Sequence, residues 1–309
     1  MLLVIGANGY VGRSLCPALL RQGKALRYLG RSAPKTPHLQ WIKFDLADPI
    51  APEQDVFNNV SEVIHCAGLS HRHASKDEYD AVNVAASLRL AKSAARAGVE
   101  HFIYLSSLNV VAPSIDDPEL PADLLPEPKE AYARSKWRAE RALTEVCADR
   151  SMDLTIVRAA LIYDAELTAN LAIFERIMRW WPMLLPRVGH RCLIGRPDVT
   201  RLLAACSEHA AGVKVGQPVV VASDGHCYDA LTISQAFAGR YGLVTARGFV
   251  TPNWLCRIGG RILDWRAGKP SGSSWRAMSV THWCGVAPHV TGWRPELSLK
   301  ESIQHAAAQ

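Results

Sequence analysis

Leu2-Leu-Val-Ile5, followed by Gly6-Ala-Asn-Gly9-Tyr-Val-Gly12, decides the fold of this chain. The first four residues predict a short buried strand, and the glycines after them predict a tight turn into a helix from about Tyr10 to Gln22. Glycines let the backbone approach a pyrophosphate, which then lies at the N-terminus of the helix. This strand–turn–helix context predicts a dinucleotide site that includes Gly6, Asn8, Gly9, Tyr10, Val11 and Gly12.

The order of elements along the chain extends this prediction. Further strands are expected at Ala25–Leu29, Leu39–Phe44, Glu62–Cys66, His101–Leu105, Leu154–Arg158 and Pro218–Ala222, and helices at Asp80–Ala97 and Tyr132–Ala148. Strands that alternate with helices predict a parallel sheet with helices on both faces. The fold class is therefore α/β, a Rossmann-type doubly wound parallel sheet. The segment 112–130, rich in Pro, Asp and Glu, is expected to form a loop over the cleft.

Composition and charge narrow the class of protein. The chain has 309 residues, of which 49% are hydrophobic and 21% charged, with a net charge of +6. Its basic residues are scattered, which disfavours a nucleic-acid partner, and a cleft for an anionic ligand would account for the excess. No apolar segment reaches the roughly 18 residues of a membrane span. The eight cysteines form no CxxC pair, which predicts reduced thiols in a cytoplasmic protein.

The end of the second strand bears on the choice of nicotinamide cofactor. An NAD-selective site usually places Asp or Glu there to hold the ribose hydroxyls. Here Gly30 is followed by Arg31-Ser32, and the guanidinium of Arg31 could pair with a 2′-phosphate. NADP(H) is therefore favoured over NAD(H). The alternative is that Arg31 is a solvated loop residue.

Two more strand ends are expected to line the cofactor. Asp45 and Leu46 follow the third strand, where Asp45 could accept a hydrogen bond from the adenine amino group; Cys66, Ala67 and Gly68 follow the fourth strand. His65 is interpreted as a partly buried histidine bonded to the backbone rather than as a catalytic group. No metal site is predicted, because His71 and His73 lack a carboxylate partner.

Tyr132 and Lys136 form the most informative pair for the chemistry. Residues four apart lie on one face of a helix, so both heads could reach the same ligand. An adjacent ammonium favours the phenolate, which would lower the pKa of Tyr132 from its usual value of about 10. The pair predicts a proton donor or acceptor.

Several segments together resemble one family, namely GANGYVG, FDLAD, VIHCAG, VNVAASLRLAKSAARAGVEHFIYLSS, YARSK and IVRAALIY. The chain resembles the extended short-chain dehydrogenases/reductases of the NAD-dependent epimerase/dehydratase group, and within it the bacterial UDP-sugar C4 epimerases and reductases. The resemblance implies that Ser107 is the catalytic hydroxyl, with Ser106 as the less favoured alternative, and that Tyr132 moves the proton. Lys136 would lower the pKa of Tyr132 and bond the nicotinamide ribose. Asn83 would support the site, or else be a helix-surface asparagine.

The resemblance also implies a substrate site and a domain plan. Asn170 would contact the diphosphate of a UDP-linked sugar, and Arg191 and Arg276 would bind phosphate, although each arginine could instead be structural or exposed. Residues 1–165, with return segments at about 190–225, would form the NAD(P)-binding domain. Residues 166–309 would form mainly a smaller C-terminal substrate-binding lobe. A homodimer is implied.

The expected reaction is hydride transfer at a carbinol or keto carbon, C4 of a UDP-sugar, with a reductase favoured and a 4-epimerase as the alternative. A non-catalytic sensor or assembly protein of the same fold is a further alternative. The family's Arg-Pro after the sixth strand is replaced by Arg158-Ala159, and its Val-Tyr-Gly-Pro by Ile162-Tyr-Asp-Ala165. Because these positions lie at the rim of the pocket, the identity of the sugar stays open.

Overall fold

The computed structural model describes residues 1–36, 39–70, 74–112, 115–164, 184–207, 219–240, 250–266, 268, 270–282, 293–299 and 301. Its strands are β1 (Leu2–Ile5), β2 (Leu26–Gly30), β3 (Gln40–Lys43), β4 (Glu62–His65), β5 (His101–Ser107), β6 (Asp153–Ala159), β7 (Leu161–Tyr163), β8 (Leu193–Gly195) and β9 (Val219–Ala222). Its α-helices are α1 (Gly12–Arg21), α2 (Lys76–Tyr79), α3 (Ala86–Arg96), α4 (Ala131–Asp149), α5 (Arg196–Ser207), α6 (Ala230–Arg240), α7 (Asn253–Arg266) and α8 (Ser273–Ser279).

A seven-stranded parallel sheet in the order β3-β2-β1-β4-β5-β6-β9 forms the centre of the protein. The chain leaves β1 toward β2 on one side and returns to the other side at β4, so the order reverses between β1 and β4. In open α/β sheets, ligands bind in the crevice at this reversal, outside the carboxyl ends of the strands. The predicted fold class and all seven predicted strands are confirmed, with boundaries that shift by one or two residues.

Apolar layers cover both faces of the sheet. Successive side chains of a strand point to opposite faces, and accordingly Val4 packs in one apolar cluster while Leu3 and Ile5 pack in another. The first cluster includes Leu15 of α1 and residues of α5; the second includes Leu90 of α3 and residues of α4. This double layer explains why the strands read as continuous apolar runs.

A smaller unit follows β6. The strands β7 and β8 pair in parallel outside the main sheet. Tyr163, Leu193, Tyr228 and Phe237 are buried together in a third apolar cluster. Within the described ranges, no helix is both long enough and apolar enough to cross a bilayer.

Candidate active site

The glycine turn between β1 and α1 is closed too tightly for side chains. Gly6 has a φ of +100°, and a Cβ atom there would lie 2.7 Å from the backbone nitrogen of Ala67. A Cβ on Gly12 would lie 2.1 Å from the carbonyl oxygen of Gly6. The turn is held by a hydrogen bond from Gly9 N to Gly6 O of 2.9 Å. This packing leaves the start of α1 at the sheet reversal, where it fits the pyrophosphate of a dinucleotide.

The region after β2 lies against the same turn. The Asn8 amide donates to the Ser32 hydroxyl at 3.0 Å and to the Ala33 carbonyl at 2.9 Å, and its oxygen accepts from the backbone N–H of Lys35. A Cβ on Gly30 would lie 2.1 Å from the Tyr28 hydroxyl. An acidic side chain at position 30 would therefore collide with Tyr28. Arg31 is exposed beside this space.

The segment after β4 closes the other side of the cofactor crevice. The Cys66 thiol donates to the Ile5 carbonyl at 3.2 Å, and Ala67 contacts Gly6. Burial raises the pKa of Cys66 to about 12, which keeps it a neutral thiol. A Cβ on Gly68 would lie 2.9 Å from the Asn83 side-chain oxygen. The sequence-predicted residues after β1, β2 and β4 thus converge on one crevice.

Asp45 and Leu46 lie after β3, beyond β2. The Asp45 carboxylate accepts from the backbone N–H of Ala47 at 3.0 Å, and the Leu46 carbonyl accepts from Arg89 at 3.2 Å. Both residues are partly buried. The Asp45 side chain therefore shapes its own turn in this structure, and its contact with adenine stays a prediction.

Ser107 and Tyr132 meet at the carboxyl end of β5. Ser107 is the last residue of β5, and Tyr132 lies in the first turn of α4. The Ser107 hydroxyl is hydrogen-bonded to the phenol, which acts to lower the pKa of Tyr132. Burial is the larger influence and, together with the neighbouring Tyr79, raises that pKa to about 12. The phenol is therefore protonated at neutral pH and is set up to donate a proton.

Lys136 lies one helical turn after Tyr132 but bonds elsewhere. Its ammonium donates to the Tyr104 hydroxyl at 3.0 Å and to the Leu105 carbonyl at 2.9 Å. Burial lowers its pKa to about 8, against the opposing charge of Glu140. The resemblance implied that Lys136 lowers the pKa of Tyr132. In this structure that pKa is raised instead, because desolvation of the phenol outweighs the influences that lower it.

Asn83 joins α4 to the segment after β4. It lies in a π-helical turn, Asp80–Ala85, and is buried. Its amide donates to the Leu69 carbonyl at 3.1 Å and to the Ser135 hydroxyl at 3.0 Å, and its oxygen accepts from Leu69 N at 2.8 Å. The interpretation of Asn83 as a helix-surface asparagine is therefore wrong. Since Ser135 precedes Lys136, Asn83 fixes the helix that carries the site.

A buried polar chain lies behind Lys136. Tyr104 bonds Lys136, and the ring of His65 lies 5.5 Å from the Tyr104 ring. His65 Nε2 lies 2.8 Å from the Ser87 hydroxyl, which donates to the Asn83 carbonyl. Burial and the nearby Lys136 lower the pKa of His65 to about 3, so it is neutral. His65 is bonded to a side chain and fully buried, rather than partly buried and bonded to the backbone as expected.

A buried ion pair anchors the segment that contains Pro118 and Leu120. Arg158 of β6 and Glu140 of α4 are both fully buried and meet at 2.6 Å. The Nη1 atom of Arg158 donates to the carbonyls of both Pro118 and Leu120, at 2.8 and 2.7 Å. Ser106 donates to Glu140 at 2.5 Å, so Ser106 has a structural partner and Ser107 is the hydroxyl that reaches Tyr132.

Of the predicted substrate residues, the structure describes Arg191 and Arg276. Asn170, His71 and His73 lie outside the described residues. Arg191 is half-buried and donates to the Met278 carbonyl of α8 at 3.0 Å, while Arg276 on the same helix is exposed. The structure thus associates Arg191 with α8, and it gives Arg191 a backbone partner where a phosphate contact was predicted.

The sequence-based interpretation missed a further arginine. The guanidinium of Arg196, at the start of α5, pairs with Asp164 and lies 4.7 Å from the ring of Tyr10. It also donates to the Tyr10 carbonyl at 3.3 Å. Arg196 therefore ties the end of β7 to the glycine turn. The sequence signal that could have indicated Arg196 was its partner Asp164, which departs from the family pattern.

The sequence model of the "NAD dependent epimerase/dehydratase family" matches residues 2–177. The chain belongs to this family. A UDP-glucose 4-epimerase from Vibrio cholerae is 25% identical over 99% of this chain and 94% of that protein. A ceramide reductase from Caulobacter vibrioides is 30% identical over 68% of this chain and 62% of that protein.

Solved structures share the fold over almost the whole chain. A UDP-glucose 4-epimerase from Thermotoga maritima, solved with UDP-glucose, has a TM-score of 0.74 at 18% identity, covering 99% of this chain and 97% of that one. The Bordetella bronchiseptica enzyme WbmG, solved with NAD and UDP, has a TM-score of 0.72 at 18% identity, covering 99% and 93%. Family and fold together make this chain an enzyme of the extended short-chain dehydrogenase/reductase type.

Replacing Tyr104 with phenylalanine tests the chain behind Lys136. The Tyr104 hydroxyl accepts a hydrogen bond from the ammonium, so its loss disfavours the charged form and lowers the pKa of Lys136 further below about 8. We expect the limb of kcat/KM that reports Lys136 to move to lower pH, with about a threefold loss at a pH near the original value. Tyr163→Phe is the matched control, since that hydroxyl bonds the Leu297 carbonyl. An unshifted pH profile in Tyr104→Phe would show that the Tyr104 hydroxyl does not influence the pKa of Lys136.

Proposed function

We propose that the protein is an NAD(P)-dependent oxidoreductase that acts on a nucleotide-linked sugar, at C4 of a UDP-sugar. The observation that carries the proposal is the Ser107–Tyr132 hydrogen bond beside Lys136, at the strand ends that border the glycine turn. A bound nicotinamide would supply or accept the hydride in this crevice. The assignment of Ser107, Tyr132 and Lys136 as catalytic residues is part of the proposal.

Each residue has one role in the proposed reaction. The Tyr132 phenol gives its proton to the substrate oxygen in reduction and takes it back in oxidation. The Ser107 hydroxyl bonds the same oxygen and stabilises the charge that develops on it. Lys136 would hold the nicotinamide ribose when the cofactor is bound, and its charge would favour the phenolate. The loop fixed by Arg158 covers the cleft and limits the access of water.

The proposed substrate site extends from the crevice toward the C-terminal part of the chain, which includes α8. We assign Asn170 to the diphosphate, and Arg191 with Arg276 to phosphate oxygens, on the basis of the motifs that these positions resemble. The location of Arg191 beside α8 supports a site to which the C-terminal unit contributes. The division into a cofactor domain, 1–165 with 190–225, and a substrate lobe within 166–309 belongs to the same proposal.

The net reaction is either reduction or epimerisation. A reductase is favoured by Arg31, which suits an exchangeable NADPH. A UDP-sugar 4-epimerase is the second candidate, because the Vibrio cholerae relative, matched over 99% of this chain, carries that name.

One assay distinguishes the candidates. Purified protein is incubated with NADP(H) or NAD(H) and with UDP-glucose, UDP-galactose or a UDP-4-keto-sugar, while nicotinamide absorbance and sugar configuration are followed. Net NADPH oxidation with the keto-sugar indicates a reductase, and interconversion of the two hexoses without net absorbance change indicates an epimerase. Cofactor binding without turnover of any of these sugars would contradict both and support a non-catalytic sensor.

Replacing Arg31 with alanine tests the preference for NADP(H). We expect NADP(H) to bind about 10- to 100-fold more weakly, because a hydrogen bond to a charged group contributes roughly 1.5–3 kcal/mol. NAD(H) should change by less than about twofold, since it lacks the 2′-phosphate. Arg21→Ala, in the last turn of α1, is the control. Equal losses for both cofactors, measured by titration, would show that Arg31 does not read the 2′-phosphate.

We further propose a homodimer in the cytoplasm. The described cysteines are free thiols, which suits a reducing compartment. Native mass spectrometry measures the oligomeric state and detects any co-purified NAD(P)(H), and a monomer at micromolar concentration would contradict the dimer.

A further inference from the structure

The outward side of α7 is apolar, which is the reverse of an ordinary surface helix. Trp254 and Trp265 are 61% and 82% exposed, and Ile258 and Ile262 are 48% and 53% exposed. These residues recur at the helical spacing of three and four, so they form one stripe. We call this stripe, together with the exposed Leu255, the outer face of α7. Contiguous exposed apolar surface of this kind marks an interaction site.

The opposite side of α7 is the side that packs onto the protein. Gly260 is buried, and a Cβ there would lie 3.4 Å from the backbone nitrogen of Trp275 in α8. Asp264, one turn later, is buried, and its carboxylate accepts from the Ser274 N–H at 3.0 Å and from the Ser274 hydroxyl at 2.6 Å. The polar contacts of α7 thus hold the helix down and direct its apolar residues outward.

The charges on the flanks of the outer face have one sign. Arg257 and Arg261 flank it on one side and Arg266 on the other, and all three are exposed. In the sequence from 250 to 282 the one acidic residue is Asp264, which Ser274 binds in the interior. An apolar stripe edged by arginines and carrying tryptophan at each end is complementary to an anionic lipid surface, where the rings lie at the level of the headgroups.

We propose that α7 docks the protein on an anionic membrane surface, with the helix lying in the plane of the interface. Its 14 residues span about 21 Å, too short for a crossing but long enough to bury the outer face among lipid headgroups. A second copy of this chain fits less well, because a two-fold contact would bring the arginine fringes of both copies together without an exposed carboxylate between them.

Vesicle binding of the full-length protein tests the proposal without use of its enzymatic activity. The protein is sedimented with large vesicles of phosphatidylcholine alone or with about 30% phosphatidylglycerol. We expect partition onto the anionic vesicles to exceed that onto the neutral ones by about tenfold or more, and to fall steeply at high salt. Lipids brominated near the headgroup should quench the fluorescence of Trp254 and Trp265.

Two variants locate the binding surface. Ile258→Asn with Ile262→Asn, and separately Arg257→Gln with Arg261→Gln, should each weaken binding to anionic vesicles about tenfold or more. The control combines Ile50→Asn with Arg150→Gln, which are exposed elsewhere. All the substituted side chains are exposed, so unchanged melting temperatures are expected and show that the fold is kept.

Three outcomes would overturn the proposal. In the first, the wild-type protein fails to bind anionic vesicles. In the second, both α7 variants bind as well as the control. In the third, the protein does not bind vesicles, and native mass spectrometry shows a dimer that Ile258→Asn with Ile262→Asn converts to a monomer. The last outcome would assign the outer face of α7 to self-association.

Discussion

Tyr132→Phe is expected to lower kcat about 10²- to 10⁴-fold, the range that a positioned general acid or base contributes. The phenol is the group at the crevice that both contacts Ser107 and is protonated at neutral pH, because burial raises its pKa to about 12. Phenylalanine keeps the ring and removes the hydroxyl that carries the transferable proton. Affinity for NAD(P)H should stay within about threefold, since the glycine turn and Lys136 are unchanged.

The control for this substitution is Tyr79→Phe. Tyr79 is buried, and its ring centroid lies 6.0 Å from that of Tyr132, so the same change is made to a neighbouring phenol. We expect kcat to fall by less than about threefold, because Tyr79 packs beside Tyr132 through its ring, which phenylalanine keeps. Steady-state rates with the UDP-sugar that the assay identifies, together with cofactor titrations, measure both effects. If Tyr132→Phe kept most of its turnover, the proposed mechanism would be wrong.

The raised pKa of Tyr132 keeps the phenol protonated in the unliganded protein. A protonated phenol donates in reduction without further change. Oxidation needs the phenolate, which becomes accessible when positive charge arrives in the crevice. An oxidised nicotinamide would bring such charge and add it to that of the Lys136 ammonium, which is already in place. Lys136 with a pKa of about 8 retains its charge at neutral pH and loses it as the pH rises through that value, so the oxidative reaction should depend on pH in this range.

The sequence predicted the sheet well because its signals are local. A strand buried on both faces is mostly apolar, so runs such as Leu2–Ile5 and Phe102–Leu105 can be recognised from the sequence. The glycine turn identified the first crossover, because Gly6 and Gly12 occupy positions where a side chain would collide with backbone. Together they fixed the order of elements and the crevice.

The contacts behind the site could not be predicted in the same way. Asn83 bonds Ser135 across 52 positions, and Arg158 bonds Pro118 across 40. Neither partner is implied by local periodicity, since each depends on how α4 packs against the sheet. The pKa of Tyr132 was misjudged for the same reason: spacing brings Lys136 to the same helix face, but burial by the surrounding structure dominates the pKa.

The tryptophans in the C-terminal part of the chain show a different limit of prediction from sequence. Seven of the nine tryptophans lie beyond residue 179. In the structure Trp293 is buried in the same apolar cluster as Val4 and Leu15, whereas Trp254 and Trp265 are exposed. Composition alone could not separate them, because the same residue type serves core packing and interfaces. The difference depends on which side of α7 Asp264 and Gly260 hold against α8.

Arg158→Met is expected to destabilise the protein by about 3–5 kcal/mol, the cost of leaving one member of a buried ion pair without its partner. The Glu140 carboxylate would keep the hydrogen bond from the Ser106 hydroxyl but would lose the positive charge of Arg158. The carbonyls of Pro118 and Leu120 would also lose their donor. Urea unfolding measures the loss of free energy, and faster proteolysis of the loop above the cleft should accompany it.

The exposed pair Arg138–Glu127 provides the matched control. Its side chains are 36% and 47% exposed, and its nitrogen–oxygen distance is 3.0 Å, so the geometry is comparable and the burial is not. Arg138→Met should cost about 0–1 kcal/mol, because water solvates the remaining carboxylates of Glu127 and Asp80. The double change Glu140→Leu with Arg158→Met should recover part of the loss, since neither member of the ion pair is left buried without the other. If Arg158→Met and Arg138→Met had equal effects on the free energy of unfolding, the buried pair would not be what holds the loop over the active site.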